Sequence, residues 1–143
     1  MEYLKPEPRL RRQEALKLAD DEFSLLMRAY HADGGFVRCG TCGQEMPWKG
    51  TGWAHWGHYI DRQYMWTRWD VTNGAVQCET CNCYGGGETE RMRAHLVKKH
   101  GEEEVERLEI EHKRLLRITI EEIVELADTF RKKREEIEQE KRL

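Results

Sequence analysis

The chain has 143 residues, of which 36% are charged, with a mean hydropathy of −0.88 and a formal net charge of −3. Its length suits one domain with a helical extension, and no apolar run is long enough for a membrane span or a secretory signal, including in the N-terminal sequence MEYLKPEPRLRRQ. The negative charge excludes a uniformly basic nucleic-acid binder, and the small apolar fraction predicts a small core that a bound metal would help to stabilise.

The first predicted element is a helix over about residues 10–31, which lies in an N-terminal segment, 1–35. Apolar residues recur there at three- and four-residue spacing and form one face: Leu16, Ala19, Phe23, Leu26 and Tyr30. The turn residues of HADGG (31–35) end this helix.

Residues 36–100 form the predicted core. The runs FVR, WAHWGHYI and AVQC predict short strands between loops. After the triple glycine at 85–87, helical spacing returns in Met92, Leu96 and Val97. The sequence KKHG ends that helix, since cations suit a helix C-terminus and Gly101 accepts a left-handed cap.

Residues 101–143 predict two further helices. The first covers 102–117, with one face made of Val105, Leu108, His112 and Leu115. TIEE (119–122) is a capping box that opens the second helix, which runs to about 140. The second helix carries an apolar stripe, open to packing within the chain or against another chain: Ile120, Ile123, Val124, Ala127, Phe130 and Ile137.

Two C-x2-C pairs, Cys39 with Cys42 and Cys78 with Cys81, predict one structural zinc site. Each pair presents two thiolates from one tight turn, and two such turns complete a tetrahedral site. Disulfides or a thioredoxin-like redox motif are the alternatives, but a cytoplasmic chain, which we expect here, favours metal. Cys83 is left over, since its spacing from Cys81 makes a poorer chelating turn.

Polar residues between and beside these pairs suggest catalysis. His55 and His58 lie in the predicted run WAHWGHYI, Asn73 precedes the second pair, and Asn82 follows it directly. This order is typical of the ββα-metal, or HNH, nuclease site. A neutral imidazole suits a general base near pH 7, and amide oxygens suit Mg²⁺, which phosphodiester hydrolysis needs to stabilise developing charge.

The combination of C-x2-C-G, GHY, RWDVTN and QC-x2-CN resembles the NinG/Rap family of lambdoid-phage recombination nucleases. The resemblance extends to LADDEFSLLMR upstream and to ERMRAHLVKKHGEEEVERLEIEHKR and RITIEEIVELADTFRKKREEI downstream. It covers about residues 17–140. The cysteine pairs and HNH elements occur in many nucleases, but this combination is much more specific.

The resemblance implies an α+β fold: a small zinc-stabilised ββα-metal core flanked by an N-terminal helix and C-terminal helices. It also implies a structure-selective endonuclease that cuts branched recombination intermediates, Holliday junctions and D-loops, and that a phage or prophage supplies to the bacterial cytoplasm. Carried over by position, Cys39, Cys42, Cys78 and Cys81 bind one zinc ion and His58 is the catalytic histidine. Asn82 binds the catalytic cation, and Asn73 orders the loop that supports His58.

The sequence departs from this pattern at two positions. Many HNH sites have Asp directly before the catalytic histidine, where this chain has Gly57. Family relatives tend to have an acid three residues before it, where this chain has His55. We therefore consider His55, Asp61 and Glu88 as further ligands of the catalytic cation, which is Mg²⁺, or Mn²⁺ if His55 binds.

Candidate DNA contacts fall in two segments. The first contains Arg62, Trp66, Arg68 and Trp69, whose indoles either stack on unpaired bases or cover the core. The second, RMRAHLVKKH, is either a phosphate-binding face or a solvated one, through Arg91, Arg93, Lys98 and Lys99.

Because a symmetric junction has two strands to cut, we expect a homodimer with residues 101–143 in much of its interface. The rival functions are a non-catalytic zinc-containing DNA-binding module and an HNH nuclease of duplex DNA without branch preference.

Overall fold

The computed structural model describes residues 10–50 and 54–143. The expectations for residues 1–9 and for Trp53 lie outside these ranges. The elements in chain order are α1 (Arg12–His31), β1 (Phe36–Arg38), β2 (Glu45–Pro47), β3 (Ala54–His58), β4 (Gly74–Cys78), a π turn (Thr80–Tyr84), α2 (Thr89–His100), α3 (Glu102–Glu111) and α4 (Ile120–Lys141). The predicted mixed α+β class is confirmed. Within the described ranges, none of the helices combines the length and the apolar character that crossing a membrane requires.

The strands form two separate antiparallel pairs. In the first, β1 pairs with β2, and the first cysteine pair lies at the turn that joins them. In the second, β3 pairs with β4 so that His58 lies opposite Gly74 and Ala54 lies opposite Cys78. The runs FVR and AVQC are strands as predicted, but β2 was not anticipated, because three residues that include a proline carry almost no strand signal.

Helices cover both faces of the β3–β4 pair. Phe23 of α1 packs edge-on against Trp56 of β3, with ring centroids 5.9 Å apart. Met92 and Leu96 of α2 pack with Ala75 of β4 in a second buried cluster. This hairpin is therefore held between α1 and α2.

Helix α4 packs along α1 in the same chain. Ala15 and Ala19 of α1 share a buried cluster with Ile123 and Ala127 of α4, and the alanines allow the two backbones to approach closely. Most of the predicted α4 stripe is thus used inside the chain, and it does not form a free surface for a second copy. The homodimer remains a prediction, but the α4 stripe is not available as its interface.

The predicted face of α1 needs one correction. Leu16, Ala19, Phe23 and Leu26 pack inward as expected, but Tyr30 is 63% exposed. Lys141 donates to the Tyr30 carbonyl and lies over its ring. The tyrosine thus faces solvent at the end of the helix.

The ends of the later helices agree only in part. Gly101 ends α2 with a φ of 94°, and Thr119 and Glu122 form the predicted capping box. Helix α3 ends at Glu111 and not at residue 117, and Leu115 is 86% exposed. After α3 the chain returns to α1, where Arg12 donates to the Ile118 carbonyl at 2.7 Å.

Candidate functional site

The four predicted zinc cysteines meet at one point. The Sγ atoms of Cys39, Cys42, Cys78 and Cys81 all lie within 4.8 Å of one another, and those of Cys42 and Cys78 are 3.7 Å apart. A tetrahedral ion with Zn–S bonds of about 2.3 Å places its sulfurs about 3.8 Å apart. The four thiols therefore fit zinc. Cys83 is exposed on the π turn and is not in this cluster.

Local hydrogen bonds favour the thiolate form of Cys39. Burial alone would raise the pKa of Cys39, but hydrogen bonds from the Thr41 hydroxyl and from nearby backbone amides lower that pKa to about 6. The amide of Cys81 donates to the Cys78 sulfur at 3.4 Å. A hydrogen bond with Thr41 lowers the pKa of Cys81, but burial and the neighbouring sulfurs outweigh it and raise that pKa to about 12. The thiolate is the form that binds metal, so Cys39 is the cysteine that these contacts prepare for an ion.

A cavity of about 390 Å³, which we call the His58 cavity, lies between α1, β3 and the π turn. Five residues predicted from the sequence line it: His55, His58, Asp61, Arg62 and Asn82. Its wall also contains Asp20 and Asp21 of α1, which were not among the predicted site residues. The cavity thus brings together most of the predicted catalytic and cation-binding residues.

His58 has one ring nitrogen fixed by the protein. Its Nε2 lies 2.8 Å from the backbone carbonyl oxygen of Arg68, which can only accept, so Nε2 carries the proton. Burial lowers the pKa of His58 below its ordinary 6.5 and outweighs the opposing effects of that carbonyl and of Asp20. The imidazole is therefore neutral at pH 7, with its lone pair on Nδ1.

Asn73 is fully buried and fastens the loop between β3 and β4. Its Oδ1 accepts from the Ile60 amide at 2.8 Å, and its Nδ2 donates to the carbonyls of Ile60 at 3.0 Å and Thr67 at 2.9 Å. Thr67 directly precedes Arg68, whose carbonyl accepts the hydrogen bond from His58 Nε2. Asn73 thus fixes the loop that orients His58.

Asp20 fixes the same loop from the side of α1. Its carboxylate accepts two hydrogen bonds from the Arg68 guanidinium, at 2.6 and 3.0 Å, and one from the Trp69 indole at 3.0 Å. The Asp20 and Arg68 side chains are only 11% and 13% exposed. The sequence offers one signal for this role: two adjacent aspartates in the middle of a helix, where Asp is a poor helix former.

The candidate ligands of the cation divide into two groups. His55, Asp61 and Asn82 line the His58 cavity, and the Asp61 carboxylate also accepts from the Gln63 amide at 2.9 Å. Glu88 is not in the cavity lining; it opens α2, and its carboxylate lies next to Gly85. The donors within the cavity, amide and carboxylate oxygens with an imidazole, suit Mg²⁺ or Mn²⁺.

The four predicted DNA contacts in residues 62–69 differ in whether their side chains are already bound to other residues of the protein. Arg68 and Trp69 are held by Asp20, and Trp69 packs against the core. The Trp66 indole lies under the Arg114 guanidinium, 4.4 Å from it, and donates to Glu111. Arg62 is 60% exposed at the cavity mouth, 3.6 Å from Asp20. Arg62 is thus the most available of these four.

The α2 cations are also partly engaged. Arg93 pairs with Glu102 and Glu109 at 2.9 and 2.8 Å, Arg91 bonds the Thr41 carbonyl, and Lys99 contacts His31. Lys98 is exposed. A continuous row of free cations is therefore not present on this helix.

Comparison with known proteins agrees with the resemblance seen in the sequence. Residues 9–140 match the family described as bacteriophage lambda NinG protein. No curated protein and no solved structure matches the chain. The family match includes both cysteine pairs, every residue of the His58 cavity and nearly all of α4. Since it covers far more than half of the sequence, the chain belongs to the NinG family.

Proposed function

We propose that this protein is a divalent-metal-dependent DNA endonuclease that cuts branched recombination intermediates. Membership of the NinG family indicates a protein of phage recombination. The observation that carries the proposal beyond the family is His58: a half-buried, neutral imidazole with its proton fixed on Nε2, in a cavity with amide and carboxylate oxygens. The antiparallel β3–β4 pair followed by a helix also supports an HNH-type core.

In this proposal His58 is the general base. Its Nδ1 lone pair accepts a proton from the attacking water, while the Nε2 hydrogen bond to Arg68 keeps the ring oriented and stabilises the imidazolium that forms. Asn73 and Asp20 are positioning residues, because they hold the loop that presents the Arg68 carbonyl. Arg62, at the cavity mouth, contacts a phosphate of the bound DNA.

Asn82, Asp61 and His55 hold the divalent cation. When bound, that cation supplies stabilisation of the negative charge on the scissile phosphate and the leaving oxygen. Zinc has a separate, structural role in the four-cysteine cluster. The second cysteine pair therefore positions Asn82, which follows Cys81 directly.

The branched substrate and the dimer belong to the proposal as well. A two-fold dimer would place two His58 cavities on the two strands of a symmetric junction. The division into segments 1–35, 36–100 and 101–143 stays a prediction. Helix α4 of the last segment packs on α1 of the first.

The test is cleavage of labelled four-way junction and matched duplex by zinc-loaded protein with Mg²⁺ or Mn²⁺. We expect the junction to be cut and His58→Ala to abolish cutting while zinc content and junction binding remain. His112→Ala is the matched control, because this histidine lies at the end of α3, where it contacts Tyr64. Binding without cleavage under either cation would favour a DNA-binding module, and equal cleavage of both DNAs would favour a duplex nuclease.

A further inference from the structure

Gln77 is a fully buried polar residue whose side chain is only half satisfied. Its Nε2 donates to the Gly87 carbonyl at 2.9 Å and to the Thr41 hydroxyl at 3.2 Å. Because a carbonyl can only accept, these contacts fix which end of the amide carries the nitrogen. Its Oε1 is buried and has no hydrogen-bond partner in the described part of the chain.

That oxygen lies in the space that a side chain at residue 57 would fill. A Cβ atom on Gly57 would stand 1.9 Å from Gln77 Oε1 and 3.2 Å from Asn82 Oδ1. The glycine therefore allows the amide oxygens of Gln77 and Asn82 to approach the same point, from β4 and from the π turn. Two oxygens that can only accept do not stabilise each other without a group between them.

His55 contributes a third atom of this kind. It lies directly opposite Gln77 in the β3–β4 register, and its Nε2 is buried without a partner among the described residues. An unpaired buried polar atom destabilises the fold, so two on facing residues call for a ligand. Oxygen donors with an imidazole nitrogen are a donor set for Mn²⁺ or Mg²⁺.

We propose that Gln77 Oε1 is a ligand of the divalent cation, together with Asn82 Oδ1 and His55 Nε2. Many HNH sites have an aspartate at the position of Gly57. Here Gln77, on the neighbouring strand, supplies an oxygen in place of that carboxylate. The inference rests on the proposed function, which gives the cation its role in cleavage. Binding of the cation can still be measured in the absence of cleavage.

The first measurement uses unmodified zinc-loaded protein without DNA. Titration with Mn²⁺ should broaden the side-chain amide NMR signals of Gln77 and Asn82 before that of the exposed Gln63. A Gln77 signal that stays sharp at saturating Mn²⁺ would overturn the proposal and would assign the unpaired oxygen to a buried water.

The second measurement compares Mn²⁺ affinity among variants by electron paramagnetic resonance of the free ion. We expect Gln77→Ala to weaken binding at least tenfold and Gln63→Ala to leave it unchanged. Adding Gly57→Asp to Gln77→Ala should restore most of the affinity, since the aspartate then occupies the vacated space. Unchanged affinity in folded, zinc-containing Gln77→Ala would refute the assignment.

These outcomes separate the inference from the proposed function. Mn²⁺ binding through Gln77 in a protein that cuts no DNA would refute the nuclease alone. Cleavage with Mn²⁺ affinity independent of Gln77 would refute the ligand assignment alone.

Discussion

The ring of His58 and the backbone of Arg68 are joined by a 2.8 Å hydrogen bond from Nε2 to the carbonyl oxygen. The same Arg68 is held through its guanidinium by Asp20 of α1. The orientation of the proposed base therefore depends on a helix that precedes the first cysteine pair by several residues.

The first prediction concerns pH. Because burial lowers the pKa of His58 below 6.5, the acidic limb of kcat/KM for junction cleavage should have its midpoint below pH 6.5. The unfolded chain takes up its proton first as the pH falls, so His58 contributes stability above pH 6.5 that is lost as the pH drops towards its folded pKa. A midpoint at or above 6.5, with junction binding constant over the range, would contradict the assignment.

The second prediction concerns the two aspartates of α1. Asp20→Asn leaves the buried Arg68 charge without its partner, so the free energy of unfolding should fall by about 3 kcal/mol. Asp21→Asn is the matched control, because its side chain is 59% exposed and pairs with surface Lys17. Urea denaturation measures both. Equal effects of the two substitutions would show that the Asp20–Arg68 pair does not stabilise the fold.

The third prediction concerns zinc. Metal analysis should find one zinc ion per chain, and Cys42→Ser should lose it together with a large drop in Tm. Cys83→Ser should retain the ion and the Tm, because Cys83 is outside the cluster. Loss of zinc from the Cys83 variant would show that the ligand set is wrong.

The fourth prediction concerns the packing of α4 on α1. Ile123→Ala should lower the free energy of unfolding by about 2–4 kcal/mol, because Ile123 is fully buried. Leu115→Ala should have little effect, since that side chain is exposed. The Ile123 effect should not depend on protein concentration; a loss that disappears at high concentration would place this residue between subunits.

The fifth prediction concerns DNA binding. Arg62→Ala should weaken junction binding and reduce the slope of log K against log salt by about one, because its guanidinium is largely exposed at the cavity mouth. Arg93→Ala should change the slope less, since Arg93 is paired with Glu102 and Glu109. Fluorescence anisotropy with Ca²⁺ in place of Mg²⁺ measures both, and equal slopes for Arg62→Ala and the unmodified protein would rule out a phosphate contact.

Local patterns predicted the helices and the zinc cluster well. The spacing of Phe23 and Ile123 with their apolar neighbours marks helix faces, and Thr119 with Glu122 marks a helix start. The cysteine spacing alone was enough to place four thiols together. In each case the deciding interaction is between residues close in sequence, or between chemically distinctive pairs.

Long-range partners were not predictable in the same way. Nothing local to Asp20 indicates Arg68, because the pair depends on how α1 crosses the β3–β4 hairpin. In the sequence, Gln77 has no feature that distinguishes it from other strand residues. Its position opposite His55 is known only from the structure. Single-sequence patterns likewise could not say whether the α4 stripe faces α1 or another chain.

The packing of α1 on α4 has a consequence for synthesis of the protein on the ribosome. Helix α1 is made first and carries Asp20, yet the part of its apolar face around Ala15 and Ala19 stays uncovered until α4, more than a hundred residues later, has emerged. A nascent or truncated chain without α4 leaves these alanines exposed, although Phe23 can already pack on Trp56. Full stability of α1, the helix from which Asp20 holds Arg68, would therefore be reached only late in translation.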